Sequence, residues 1–153
     1  MADKTTGARA LVDALLREGV NHVFGIPGTQ NLAVIDALRD TPQIRFILTR
    51  HEQGAAYMAQ AYSRVTQGPG VCMAASGPAT LNLGTGLANA LIDCCPVVAL
   101  GGSSPIGQFG RQVFQEIDQV KAFGRLRQIR RSRLQPEAAA ATDQFRLPEG
   151  AKR

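Results

Sequence analysis

Hydrophobic and polar positions alternate between two periods along the first 120 residues. "GARALVDALLREG" sets Ala8, Leu11, Leu15 and Leu16 at helical spacing and stops at Gly19. "VNHVFGIPG" is a short apolar strand broken by Gly25, Pro27 and Gly28. The helix "NLAVIDALRD" follows, with Thr29 or Asn31 as its cap. "IRFILT" reads as a buried strand and "HEQGAAYMAQAYSRVTQ" as a helix packing through Ala56, Met58, Ala59 and Tyr62. The strand "GVCMAAS", one small-residue helix "ATLNLGTGLANALID", the strand "PVVALGG" and a short helix "FQEIDQVKAF" complete the series.

Strands that alternate with helices predict an α/β fold, a parallel sheet with helices on both faces. Near-continuous apolar strands fit a sheet buried on both sides. Ligands of such sheets bind beyond the carboxyl ends of the strands. The junctions there are Gly25 to Gly28, Thr49 to Glu52, Ser76 to Pro78 and Gly101 to Ser104. Their glycines let backbone approach a ligand closely, or simply make tight turns. Neither G-x-x-x-x-G-K-[ST] nor G-x-G-x-x-G occurs.

Charge changes the picture only at one end. Residues 1–120 hold 8 Lys and Arg against 9 Asp and Glu, whereas residues 121–153 hold 9 against 3. The net charge of +5 therefore belongs to the tail. That tail has no aromatic interleaving and no recognition motif, so no nucleic-acid partner is expected. No apolar run reaches the roughly 20 residues of a membrane span. The start lacks a secretory pattern, and Cys72, Cys94 and Cys95 suit neither a disulfide framework nor a zinc site. They read as reduced core thiols of a cytoplasmic protein.

Glu52 is the candidate reactive group. It follows a strand and opens a helix whose amides favour the ionised carboxylate. Its neighbours "GAAYMA" favour desolvation, which opposes ionisation. A carboxyl under that competition can hold or share a proton. A first-turn Glu that merely complements the helix dipole is the ordinary alternative. His51 reads as a polar contact at the pocket rim or as a satisfied structural histidine.

Taken together, "ALVDALLREGVNHVFGIPGTQNLAVIDAL", "RHEQGAAYMAQAYSRVT", "GPGVCMAASGPATLNLGTGLANALIDCCPVVALGG" and "FQEIDQV" resemble the pyrimidine-binding, amino-terminal domain of the thiamine-diphosphate enzymes. The nearest group is acetolactate-synthase-like, and the match runs from about residue 7 to 124 in family order. The resemblance implies thiamine diphosphate with magnesium as cofactor and a 2-keto acid as substrate. It implies that Glu52 hydrogen-bonds the aminopyrimidine ring and stabilises its imino tautomer, which removes the thiazolium proton. Pro27 and Gly28 match the pocket-lining turn, Ser76 and Asn82 the "SGPGATN" segment, and Gln115 a residue near the family's active site. This chain has "SGPATLN" there, so Ala79 in place of glycine is expected to crowd the turn, and Leu81 replaces threonine.

The family's magnesium and diphosphate segment, "GDG…N", has no counterpart in the sequence. The resemblance therefore implies a homo-oligomer or a partner subunit that supplies the diphosphate-binding domain. The stretch "GGSSP…FQEIDQV" also resembles the oxalyl-CoA decarboxylase and 2-hydroxyacyl-CoA lyase branch, which implies an acyl-CoA substrate instead. A third reading is a non-catalytic fragment that pairs with intact relatives. The expected organisation is a pyrimidine-binding domain over residues 5–124 and a basic, disordered tail over 125–153. Shifted by one base, a permitted codon choice from Ile129 onward reads like the family's continuation. A one-base shift near Arg127 is the explanation expected for the tail, with a genuine solvated tail as the alternative.

Overall fold

In the computed structural model, which describes residues 5–124 and 126, four parallel strands form one sheet. The elements run α1 (Gly7–Arg17), β1 (His22–Gly25), α2 (Leu32–Arg39), β2 (Arg45–Leu48), α3 (Glu52–Thr66) and β3 (Gly70–Ala74). They continue with α4 (Pro78–Leu81), α5 (Gly84–Ile92), β4 (Val97–Gly101), a 3₁₀ turn at Ile106–Gln108 and α6 (Gln119–Ala122). The tail expected over 125–153 lies outside the described residues apart from Leu126, as does its one-base-shift explanation.

The strand order is β2-β1-β3-β4. Val23 lies opposite Phe46, Phe24 opposite Cys72, and Cys72 opposite Ala99. The chain leaves β1 toward one side for β2 and returns to the other side for β3. A crevice at the carboxyl ends of β1 and β3 follows from that reversal.

Alternate strand residues feed two cores, as the two-residue period of a strand requires. Val23, Val71 and Met73 pack with Val12 and Leu15 of α1 and Leu38 of α2. Phe24, Cys72 and Ala74 pack on the other face with Ala55, Ala56 and Ala59 of α3 and with Leu83. Each fully buried Leu or Val contributes about 1.5–3 kcal/mol. The alanines of α3 serve another purpose: they let the helix lie close to the sheet and to α5, where Gly86 meets Ala56.

Several expectations are corrected. β2 is an edge strand, and Leu48 is 68% exposed. In α1 the fully buried residues are Val12 and Leu15. In α3 the buried residues include Gln60 and Ser63, whereas Met58 is exposed. The single helix expected over 79–93 is divided into α4 and α5. Asn82 and Leu83 keep right-handed angles, but Leu83 N–H bonds Thr80 O at 3.0 Å, a tighter ladder that interrupts the helix. Ala79 lies inside α4, packed against the core, and the positive φ of this turn falls on Gly77 instead. The helix expected over 114–123 shrinks to α6, capped by Asp118, because Gln115 is left-handed with φ 61°.

The cysteines are corrected too. All three are free, but only Cys72 is buried; Cys94 is exposed and Cys95 half-buried in the turn from α5 to β4. Burial pushes the Cys72 thiol up to about 12. Titration of the native chain with a thiol reagent at pH 8 is expected to modify Cys94 fastest and Cys95 next. Cys72 should react only after denaturation. Rapid native modification of Cys72, read by peptide mass, would contradict this packing.

Candidate functional site

The carboxyl ends of the strands come together through small residues. A Cβ on Gly28 would overlap the side chain of Ala75, and one on Gly102 would lie 2.9 Å from Gln30 Cβ and 3.2 Å from Ser76 N. Thr49 N–H donates to Gly25 O at 3.0 Å, so the β2 end is tied to the β1 end. These approaches leave no room for side chains at Gly28 and Gly102, which explains the glycines structurally.

The turn after β1 is organised by a residue assigned to another task from sequence. Asn31, expected as a helix cap, makes no side-chain cap bond to α2. Its Oδ1 instead accepts from Gly28 N–H at 2.8 Å, and its Nδ2 donates to Ile26 O at 3.2 Å. Asn31 is buried and holds Gly28, while Pro27 stays exposed at the tip. An asparagine three residues beyond a glycine turn was the available signal.

Glu52 opens α3. His51 caps that helix: its Nδ1 accepts from Gln53 N–H at 3.1 Å, which makes it a satisfied structural histidine. Glu52 is half-buried rather than buried. Its Oε2 accepts a hydrogen bond from Asn82 Nδ2 at 3.0 Å, across 30 residues of sequence. The fold thus joins two of the residues singled out from sequence. The α4–α5 break places Asn82 between two short helices, where its side chain can turn toward α3.

Ser76 and Gln115 form the second pair. Ser76 is 1% exposed, and its Oγ donates to Gln115 O at 3.0 Å. Thr80 Oγ1 donates to Ala75 O at 2.5 Å and fixes α4 to the end of β3. Gln119, not singled out from sequence, donates through Nε2 to Gly102 O at 2.7 Å. In the loop before α6, the Glu116 carboxylate accepts from the backbone N–H of Gly110 and, at 3.1 Å, of Val113. These amides hold its carboxyl below the usual range, and the Lys121 amide does the same for Asp118. Both carboxylates favour the folded loop above the ordinary carboxylate pKa, and that contribution fades as pH falls through the lowered values.

Glu52 and Asn82 stand on an open surface. A hollow of about 410 Å³ lies elsewhere, lined by Leu32, Ala33, Ile35, Asp36 and Arg39, and none of the residues singled out lines it. α3 also exposes Tyr57, Met58 and Val65, and α4 exposes Leu81. No helix among the described residues is long and apolar enough to cross a membrane.

Residues 5–122 match the family described as thiamine pyrophosphate enzyme, N-terminal TPP binding domain. The acetolactate synthase of Arthrospira platensis is 49% identical over 118 residues, covering 75% of this chain and 20% of that protein. The acetolactate synthase isozyme 1 large subunit of Escherichia coli is 46% identical over 113 residues, 74% of this chain and 20% of the relative. The mitochondrial acetolactate synthase of Schizosaccharomyces pombe is 46% identical over 115 residues, 75% of this chain and 17% of the relative. The chain spans about a fifth of the length of these curated relatives.

Proposed function

The chain belongs to the thiamine pyrophosphate enzyme N-terminal domain family, and on that premise we propose that it supplies the aminopyrimidine side of a thiamine diphosphate site in an acetolactate-synthase-like enzyme. The observation that supports this reading is the Glu52–Asn82 pair at the start of α3. Asn82 engages Oε2 and orients the carboxyl, leaving Oε1 for a ring nitrogen of a bound aminopyrimidine. A carboxyl at a helix start, held by a partner side chain, suits that task, because its direction is set before the ligand arrives. Gly28, Ser76 and Gln115 shape the ground around it, and Pro27 marks the rim.

The Glu52–Asn82 pair fits the aminopyrimidine end of the cofactor. Among the described residues no group of three His, Cys, Asp or Glu side chains is placed to hold a metal ion. As part of the same proposal, we assign the magnesium and diphosphate end to a different domain or subunit, docked against the exposed faces of α3 and α5. When bound, thiamine diphosphate supplies the electron sink for decarboxylation of a 2-keto acid and joining of its remainder to a second molecule. Within this chain, Glu52 accepts or holds the ring proton and Asn82 keeps it aimed. The α3 and α5 surface excludes water once covered.

Calorimetric titration with thiamine diphosphate and magnesium tests the division of labour. The expected result is negligible binding by the chain alone and binding once a subunit bearing a diphosphate site is added. Tight binding by the chain alone would overturn the assignment of the diphosphate end elsewhere. No binding in either arrangement would overturn the cofactor role and favour a non-catalytic pairing subunit.

A further inference from the structure

Gln115 adopts φ 61°, a conformation that glycine takes freely and a side chain resists. Gln67, Cys94 and Gln112 share a positive φ, and at Gln115 the surroundings supply specific contacts. The buried Ser76 hydroxyl donates to the Gln115 carbonyl at 3.0 Å. Gly77, with φ 59° and ψ −114°, lets that carbonyl come against the backbone; a Cβ on Gly77 would lie 2.9 Å from Gln115 C and closer still to its oxygen. The two left-handed residues face each other, one from the end of β3 and one from the 102–118 segment.

We propose that Ser76 is a positioning residue: with Gly77 it locks Gln115 in the left-handed conformation and so fixes where the Gln115 side chain stands at the carboxyl end of the sheet. A flip from left-handed to right-handed backbone redirects the Cα–Cβ bond, so without the lock the side chain would leave its place. Ser76 itself is buried and its donor is spent on Gln115, so it acts through Gln115. The same lock explains why residues 114–118 are not helical. The importance of Gln115's place rests on the site proposed above, whereas the lock is a property of this fold alone.

Limited trypsin digestion of the intact chain tests it at Arg111, an exposed residue four before Gln115 in the loop that the neighbouring Glu116 carboxylate gathers. Ser76→Ala is expected to speed cleavage after Arg111 at least tenfold, read by peptide mass, with the circular dichroism spectrum of the parent retained. Ser76→Ala combined with Gln115→Gly should be cleaved more slowly than Ser76→Ala alone, since glycine carries no Cβ penalty at positive φ, although its added freedom keeps the recovery partial. A packing defect at residue 76 would not be repaired in that way. Should Ser76→Ala fail to fold, Gln115→Val poses the question without touching the core, because a β-branched residue resists positive φ most strongly. An unchanged cleavage rate in whichever single variant folds, or no recovery in the double variant, would overturn the lock. No cofactor enters this digestion, so it fails only with the lock, while the cofactor titration decides the site reading separately.

Discussion

Glu52→Gln is expected to cut turnover by about 10²–10⁴-fold in a synthase where residues 5–122 of this chain replace the matching segment of the Arthrospira relative. The substitution keeps size and hydrogen-bonding shape. A glutamine carbonyl can still accept from Asn82 Nδ2, which now spans 3.0 Å to the carboxylate. What it loses is the capacity to carry a negative charge or to hold a proton. Thermal stability should therefore stay within about 1 kcal/mol of the parent, as is usual for a surface change that removes no packing. Asn82→Ala in the same chimera should cost less, about tenfold, because it frees the carboxyl's orientation and leaves its chemistry. Turnover of Glu52→Gln within a few-fold of the parent would remove Glu52 from the mechanism and leave it as a first-turn residue that complements the α3 dipole.

The alternation of periods was enough to place each strand, because each is bounded by glycine, proline or a polar turn in this sequence. It could not say how many neighbours a strand has. "IRFILT" is as apolar as an inner strand, yet β2 lies at the sheet edge and Leu48 faces outward. Periodicity also overextended the last helix, since the left-handed angle at Gln115 is imposed by Ser76 and Gly77, residues that lie far back in the chain. Cys94 shows the reverse failure: cysteine is usually buried, but here it occupies a left-handed turn position, φ 54°, at the surface. Of the site, Glu52 was legible from its local setting, a strand end and a helix start. Its pairing with Asn82 was not, because nothing local links residues 30 apart; the resemblance named both without joining them. Asn31 does stand at the N-cap position of α2, but its side-chain oxygen serves the preceding turn instead of the helix, a choice an Asx residue before a helix leaves open.

Gly70→Ala is expected to destabilise the isolated chain by about 2–4 kcal/mol, well beyond the usual effect of adding one methyl group. Gly70 opens β3 directly beneath α3, and a Cβ there would lie 2.6 Å from the Ala59 carbonyl carbon and nearer to its oxygen. Both atoms belong to helix backbone, so no side chain can swing aside. Relief requires α3 to lift from the sheet, and α3 is the helix that carries Glu52. Lifting it would open the alanine layer of Ala55, Ala56 and Ala59 against Phe24 and Cys72. The loss therefore combines strain with lost burial. Gly54→Ala in the same helix is the control, because nothing lies within 4 Å of a Cβ at that position. It should change stability by no more than about 1 kcal/mol, in the stabilising direction that helix propensity favours. Urea denaturation of both variants reads the difference through the midpoint, with the slope unchanged if both remain two-state. Equal midpoints for Gly70→Ala and Gly54→Ala would mean that α3 can shift on the sheet at little cost. The Glu52 carboxyl would then not be held by the scaffold in the way its pairing with Asn82 requires.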